Sequence, residues 1–337
     1  MCTSITLKTE DVYFGRNLDL EYRFNENVVI TPRNYKIKLK NKDILNIDYA
    51  IIGMATVVDD YPLYAEAANE EGLAMAGLYF PKNAKYFEEN KDKLNLTPYE
   101  LILYFLGKYK NIEEIKNDLE NLNILNIAFN DKLPLTDLHW MISDKKQSIV
   151  IEQMEEGLKI YDNPVGVLTN NPPFNYQLMN LNNYINLSAK NRENAFLKNI
   201  DLQNYGQGIG AIGLPGDTSP MSRFVRASFN KLNSKSLKDE NSSVTQFFHI
   251  LDSVSMVRGS TITENDKEDI TTYSCCINLN KGIYYYKTYE NNQITAIKMT
   301  EKEKTDNKLT QYKLREVQNI KFENWYKFRL LEIIFYW

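Results

Sequence analysis

Short runs of apolar and β-branched residues, bounded by charged, Gly, Asn or Pro positions, mark the first third of the chain. They predict strands at residues 2–7, 28–31, 50–58 and 73–80. Helical signals follow. The segment Thr97-Pro98-Tyr99-Glu100 has the form of a capping box with Pro at the first helical position. Asn111 with Glu114 repeats such a start and predicts a second helix that reaches about Leu122.

The same two patterns then return in order along the rest of the chain. Strands are predicted at residues 138–143, 148–153, 158–161 and 165–169, helices at 174–187, 219–232 and 244–257, and final strands at 273–279, 282–288 and 293–299. Strands in groups, separated by helices in groups, indicate an α+β fold with antiparallel sheets and helices outside them. Because there is no internal repeat and no linker, we predict a single domain over residues 1–337.

Composition excludes some classes of partner and leaves one segment unexplained. The 337 residues carry a net charge of −4, which disfavours nucleic acid. No segment reaches the ~20 apolar residues that span a bilayer, and residues 1–7 lack the pattern of a secretory signal. We therefore predict a cytoplasmic protein with no membrane association. Residues 320–337 form an atypical, partly apolar C-terminal tail, for which a docked terminal segment is one interpretation.

The sequence offers no motif for several common kinds of catalytic, metal-binding or nucleotide-binding site. The three cysteines, Cys2, Cys275 and Cys276, form neither a disulfide framework nor a zinc pattern, so we predict no metal and no cofactor. The only histidines, His139 and His249, are interpreted as hydrogen-bonded core or surface residues. There is no G-x-S-x-G motif. Residues 208–213 match G-x-G-x-x-G, but no strand precedes them and Pro215 follows, so a glycine-rich loop is the better interpretation.

Cys2 remains as a candidate nucleophile. Loss of Met1 would leave a thiol and a free α-amine on one residue, and such an amine can replace the histidine base used elsewhere. Alternatively, Cys2 is a small residue at the start of a strand. Arg16 and Asp19 follow a turn that returns the chain toward Cys2. Arg16 could lower the thiol pKa and Asp19 could hold the amine, or the two could be an exposed charge pair.

Seven motifs in order along the chain resemble the choloylglycine hydrolases, a family of N-terminal nucleophile hydrolases that comprises bile salt hydrolases and penicillin V acylases. The similarity covers roughly residues 1–300, and the motifs are MCT at 1–3, FGRNLD at 14–19, DYP at 60–62, NEEGL at 69–73, LTNNP at 168–172, GLPGD at 213–217 and SRF at 222–224. The resemblance implies a four-layer αββα sandwich and, in this family, a homotetramer.

The resemblance also assigns roles to matching positions. It implies that Cys2 is the nucleophile with its α-amine as base, that Arg16 and Asp19 are its neighbours, and that Asn170 and Arg223 complete the polar set. In this view Asn170 contributes its side-chain amide to the oxyanion hole. Residues 206–216 become a loop on the active-site side. The stretch 126–138, which includes Phe129 and Leu133, and also Leu18 match positions that line an apolar substrate pocket.

One position departs from the pattern of the bile salt hydrolases. They usually have Asn where this chain has Tyr79, and penicillin V acylases often have Tyr there. Tyr79 would place a large ring near the leaving group and so concerns substrate preference. The resemblance implies hydrolysis of the amide between a bile acid and glycine or taurine. The alternatives are a penicillin V acylase and a catalytically silent homologue that binds a ligand.

Overall fold

Two large antiparallel sheets form the centre of the structure, a computed structural model that describes residues 1–197 and 199–324. The six-stranded sheet has the order β14-β1-β2-β15-β16-β17, with strands β1 Cys2–Lys8, β2 Val12–Leu20, β14 Val167–Leu168, β15 Ile270–Asn278, β16 Ile283–Thr288 and β17 Thr295–Lys298. Its first strand, β1, is therefore an interior strand, paired on both sides.

The second sheet has eight strands in the order β13-β12-β11-β8-β7-β6-β3-β18. The bounds are β3 Asn27–Thr31, β6 Ile51–Val58, β7 Tyr61–Asn69, β8 Ala74–Tyr79, β11 Leu138–Ser143, β12 Ser148–Met154, β13 Gly157–Asp162 and β18 Thr310–Lys313. Two small two-stranded sheets lie beside it, β4 Lys36–Lys38 with β5 Ile44–Asn46, and β9 Leu94–Leu96 with β10 Leu122–Ile124.

Helices cover the outer face of each sheet. The bounds are α1 Leu101–Lys108, α2 Ile112–Glu120, α3 Phe174–Asn180, α4 Pro220–Asn233, α5 Glu240–Asp252 and α6 Glu301–Lys304. One buried cluster joins α4 and α5 to the six-stranded sheet and continues to the inner face of the eight-stranded sheet. A second cluster packs α1 and α2 on the outer face of the eight-stranded sheet. The predicted αββα order of layers is confirmed.

Helix boundaries show where local signals were sufficient and where they were not. Asn111 caps α2 through its side chain, as predicted. The predicted capping box at Thr97 is only half formed, because Glu100 accepts from the Thr97 backbone while Thr97 Oγ1 has no hydrogen-bond partner in the described part of the chain. Helix α1 begins at Leu101. α2 ends at Glu120 because residues 122–124 pair with β9.

Two further helices were predicted with wrong bounds. The helix expected over 174–187 is α3, which ends at Asn180 and is followed by a short 3-10 turn, Leu181–Tyr184. The helix expected to start at residue 244 begins at Glu240, because the Asp239 side chain accepts from the Ser242 backbone and caps the first turn.

Strand β7 was not predicted, although it carries residues that matter for the site. It follows β6 through a tight turn in which Asp59 and Asp60 both have positive φ. Its residues include Glu66 and Asn69, which are polar yet buried, so the apolar pattern of a buried strand is interrupted. Of the C-terminal tail, residues 325–337 lie outside the described residues. Within the described part of the chain, no helix has the length and apolar character needed to cross a bilayer.

Candidate active site

The β1–β2 hairpin places Cys2 directly across from Leu18. Ser4 lies opposite Arg16 in the same register. Directly opposed residues of an antiparallel pair point to the same face of the sheet, and side chains alternate along each strand. Cys2, Leu18 and Arg16 therefore share the inner face, toward the eight-stranded sheet, whereas Asp19 belongs to the outer face. The turn expected from sequence thus brings Arg16 and Asp19 back to Cys2 on opposite faces.

Arg16 crosses the space between the sheets. Its Nη1 donates to the carbonyl of Gly77 at 2.6 Å and of Ala65 at 3.3 Å, and its Nη2 is buried without a hydrogen-bond partner among the described residues. Burial acts to lower the pKa of the guanidinium, but the negative groups around it, the Cys2 thiolate first, raise that pKa above its ordinary value. Arg16 is thus a fully buried cation that interacts electrostatically with the Cys2 sulfur.

Glu66 is a buried carboxyl group opposite Arg16, and no sequence motif indicated it. Its Oε2 lies 3.9 Å from Arg16 Nε, and its two oxygens accept from Tyr273 Oη at 2.7 Å and Tyr284 Oη at 2.6 Å. Burial raises the pKa of Glu66, while Arg16 and the two phenols oppose that rise. The Glu66 carboxyl group is hydrogen-bonded mainly by the two tyrosines. Arg16 Nη2 makes no hydrogen bond to it within the described residues.

Asp19 lies beside the N-terminal residues on the outer face. Its Oδ1 accepts from Thr271 Oγ1 at 2.6 Å, and its Oδ2 is buried without a partner among the described residues. The Met1 amino group donates to the Asp19 carbonyl at 2.5 Å and lies 3.3 Å from Asp269 Oδ2. Burial raises the pKa of Asp269, which the Met1 amino group partly offsets. Asp269 comes from a distant part of the chain and was missed in the sequence.

Asn170 binds the backbone of Cys2. Its Oδ1 accepts from the Cys2 nitrogen at 2.9 Å, the atom that would be the α-amine in a chain without Met1. Its Nδ2 donates to the Tyr79 carbonyl at 2.6 Å. A side-chain amide carries two N–H hydrogens, so Nδ2 keeps one further donor for an oxygen near Cys2.

Arg223, on α4, connects the first residues of β1 to Asn170. It donates to the Cys2 carbonyl and Thr3 Oγ1 through Nη1, to Asn170 Oδ1 through Nη2 at 2.6 Å, and to the Thr218 carbonyl through Nε at 2.9 Å. Burial lowers the pKa of this arginine, and Asp19 and Cys2 act against that shift. The structure thus brings all five sequence-predicted polar residues together: Cys2, Arg16, Asp19, Asn170 and Arg223.

The residues predicted to line the substrate pocket are less closely grouped than these five polar residues. Leu18 is buried opposite Cys2. Tyr79 ends β8 with its side chain 43% exposed, while its carbonyl binds Asn170. Phe129 packs on Tyr61 and Tyr99 with ring centroids 5.3 and 5.1 Å apart. Leu133 is half-buried. The loop that holds Phe129 and Leu133 leads into β11, whose Leu138 pairs with Tyr79.

Neither histidine contacts the candidate nucleophile. His139 is buried and hydrogen-bonded to Glu152 and to the Thr169 carbonyl, and His249 is exposed on α5 beside an open depression of about 380 Å³. Gly208 and Gly213 have positive φ and belong to an exposed loop with one 3-10 turn, so the glycine-rich segment opens no helix. The end of that loop is held against α4 by Arg226, which donates to the carbonyls of Pro215 and Asp217.

A family model for linear amide C–N hydrolases of the choloylglycine hydrolase family matches residues 2–312. The chain belongs to this family. It is therefore an amide hydrolase, and the two sheets and outer helices described above are the N-terminal nucleophile hydrolase fold.

Relatives and solved structures agree with the family. A bile salt hydrolase/transferase of Lactiplantibacillus plantarum is 50% identical, with 94% of this chain and 97% of that protein covered. The crystal structure of a variant of the conjugated bile acid hydrolase of Clostridium perfringens matches with a TM-score of 0.89 at 43% identity, over 96% of this chain and all of that one. Penicillin V acylase of Agrobacterium tumefaciens shares the fold, with a TM-score of 0.74 at 21% identity, over 94% and 92% of the two chains.

Proposed function

We propose that this choloylglycine hydrolase cleaves the amide bond of bile salts conjugated to glycine or taurine, with Cys2 as its N-terminal nucleophile after loss of Met1. The observation that carries the proposal is the hydrogen bond between the Cys2 nitrogen and Asn170 Oδ1, beside buried Arg16 and Arg223. Two relatives named bile salt hydrolase/transferase, at 50% and 44% identity, support the substrate class.

The first half-reaction makes a thioester. The α-amine of Cys2 takes the thiol proton, and the thiolate, stabilised by Arg16, attacks the amide carbonyl carbon. Negative charge on the carbonyl oxygen is met by the second N–H of Asn170 Nδ2. The α-ammonium returns its proton to the amide nitrogen as the C–N bond breaks, so that glycine or taurine leaves as an amine and the acyl group stays on Cys2.

Water completes the cycle. The α-amine accepts a proton from a water molecule as the water oxygen bonds to the thioester carbonyl carbon. The C–S bond then breaks, the α-ammonium returns its proton to the sulfur, and the bile acid leaves with the Cys2 thiol restored. Asp19 and Asn170 orient the amine throughout. Cys275 and Cys276 do not compete as nucleophiles, because burial raises the pKa of each thiol well above its usual value and keeps both protonated.

The substrate's steroid body requires an apolar wall. We assign this wall to Leu18 and to the loop that contains Phe129 and Leu133, since that loop leads into the strand beside Tyr79. Penicillin V is the second candidate substrate. The specific observation in its favour is the exposed ring of Tyr79 at the end of β8, where a small amide side chain is usual in bile salt hydrolases.

A tetrameric assembly in the cytoplasm completes the proposal. Its support in this chain is a set of exposed apolar side chains in the segment between α3 and α4: Ile185, Phe196, Tyr205 and Ile212. Multi-angle light scattering of the purified protein measures the assembly. A change of Phe196→Ser with Tyr205→Ser should reduce the mass from that of a tetramer, and a monomeric wild type would refute the assembly.

The decisive experiment offers glycocholate, taurocholate and penicillin V to the purified protein and measures the released amine. Intact mass establishes whether Met1 is absent. We expect release of glycine or taurine, and its loss in Cys2→Ser but not in Cys276→Ser, a matched change of a buried thiol. Full turnover by Cys2→Ser would refute the nucleophile. Tight bile salt binding without turnover by processed protein would identify a silent binding homologue.

A further inference from the structure

Two buried ionisable side chains that the proposed chemistry does not use lie behind Asn170. His139 on β11 and Glu152 on the neighbouring strand β12 are both fully buried, and Nδ1 of His139 lies 2.9 Å from Glu152 Oε1. Phe80 stacks on the imidazole with ring centroids 4.3 Å apart and an interplanar angle of 5°. The ring therefore has little freedom to turn or move.

The second ring nitrogen of His139, Nε2, contacts the segment that carries Asn170. Nε2 lies 2.9 Å from the carbonyl oxygen of Thr169, the residue before Asn170. A carbonyl oxygen only accepts hydrogen bonds, so Nε2 carries the hydrogen of this bond. A second proton, shared between Nδ1 and Glu152 Oε1, makes the other hydrogen bond of the ring, and this bond fixes the ring orientation.

Glu152 holds the far end of the same segment. Both of its oxygens lie within hydrogen-bond distance of the Phe174 backbone nitrogen, at 3.0 and 3.2 Å. Between Thr169 and Phe174, Gln177 donates to the carbonyls of Asn170 at 2.6 Å and Pro172 at 2.9 Å. The pair thus fixes both ends of the short turn that carries Asn170, and Gln177 fixes its middle.

We propose that His139 and Glu152 are positioning residues that set the place of Asn170 relative to the Cys2 nitrogen and to the developing oxyanion. This role rests on the proposed function. The pair does not touch the substrate or Cys2; it acts through the Thr169 carbonyl and the Phe174 N–H. Because a displacement of about 1 Å at an oxyanion donor costs on the order of 10²-fold in rate, loosening this turn should reduce kcat and leave KM nearly unchanged.

Two near-isosteric variants separate the two hydrogen bonds of the ring. His139→Gln places an amide nitrogen near the position of Nε2 and keeps the donor to Thr169, whereas His139→Asn places its amide near Nδ1 and keeps only the contact with Glu152. We expect His139→Gln to retain kcat within about threefold and His139→Asn to lose about 30- to 100-fold, with KM within about twofold in both. His249→Gln, the exposed histidine, is the matched control.

Rates are expressed per alkylatable Cys2, so a loss of folded protein does not count as a loss of kcat. Equal kcat for wild type and His139→Asn, with only a lower melting temperature, would overturn the proposal and leave the pair a purely structural element. A crystal structure of His139→Asn provides a readout without substrate. Asn170 Oδ1 still at 2.9 Å from the Cys2 nitrogen would overturn the proposal even if the wild type proved inactive on bile salts.

Discussion

The Cys2 nitrogen and the side-chain oxygen of Asn170 lie 2.9 Å apart, although 168 positions separate them in the chain. Removal of this amide by Asn170→Ala should lower kcat by about 10²–10³, because both an oxyanion donor and the acceptor for the α-amine are lost. Steady-state hydrolysis of glycocholate measures this decrease in kcat. Asn183→Ala is the control, since Asn183 is exposed and donates only to Asn180 among the described residues. Similar rates for the two variants would contradict the role of Asn170.

Replacement of Arg223 by Lys should be nearly as damaging as its removal. The guanidinium contacts oxygens of Cys2, Thr3, Asn170 and Thr218 at once, and an ammonium cannot reproduce that planar set of donors. We expect kcat to fall by about 100-fold. Arg226→Lys, on the same helix but partly exposed, should retain activity within about threefold. An Arg223→Lys enzyme with normal kcat would show that only the positive charge matters.

Tyr284 and Tyr285 are adjacent but should differ in their contribution to the free energy of unfolding. Tyr284→Phe leaves one oxygen of fully buried Glu66 without its phenol, which should cost about 1–3 kcal/mol. Tyr285 donates to the half-exposed Glu240, which Lys281 and Asn278 also bind, so Tyr285→Phe should cost less. Urea unfolding followed by circular dichroism measures both. An equal loss of unfolding free energy in the two variants would show that the burial of Glu66 does not increase the contribution of its hydrogen bonds to stability.

Tyr79→Asn should change the ratio of kcat/KM for glycocholate to that for penicillin V. The exposed ring at the end of β8 offers apolar contact to an aromatic acyl group, worth about 1 kcal/mol, so the ratio should rise roughly fivefold toward the bile salt. Competition between the two substrates measures the ratio. Tyr312→Asn, a partly exposed tyrosine on the edge strand β18, is the control. A ratio that is unchanged in Tyr79→Asn would remove Tyr79 from the determinants of specificity.

Asp217 should stabilise the start of α4 in a pH-dependent manner. Hydrogen bonds from Ser219 and Ser222 lower the pKa of Asp217 to about 2. A folded-state pKa below the unfolded one means stability that is present above about pH 4 and lost as the pH falls toward about 2. Asp217→Asn should therefore lower the free energy of unfolding at pH 7, by less than about 1 kcal/mol because solvent screens the site. At pH 2 the two proteins should unfold alike, and an equal difference at pH 2 and pH 7 would contradict this role of the Asp217 carboxylate.

Local patterns were sufficient for most elements but not for the neighbours of the site. The β1–β2 hairpin, the Asn111 cap and the grouping of strands and helices follow from periodicity and capping chemistry. The family motifs supplied Asn170 and Arg223, which no local pattern connects to Cys2. The even–odd alternation of β2 also explains why Arg16 and Asp19 serve different faces, a consequence of their spacing that becomes visible only once the strand is fixed.

Glu66, Asp269 and the His139–Glu152 pair were beyond local inference for a common reason. Each is an ionisable residue in a segment that is otherwise typical of a strand or loop, and its partners are distant in sequence, such as Tyr273 and Tyr284 for Glu66. Burial of a charge is decided by those partners, and not by flanking residues. The same burial interrupts the apolar pattern of β7, which is why that strand escaped prediction.

The interior position of β1 also determines when this active site can exist during synthesis. Leu18 meets Cys2 early, but Asn170 lies far downstream and Asp269, next to β15, further still. At about 5–20 residues per second, the ribosome needs roughly 15–50 s to reach β15. For that interval the first residues have no completed sheet around them. The loss of Met1 that the proposed function requires would therefore take place before β15 joins the sheet.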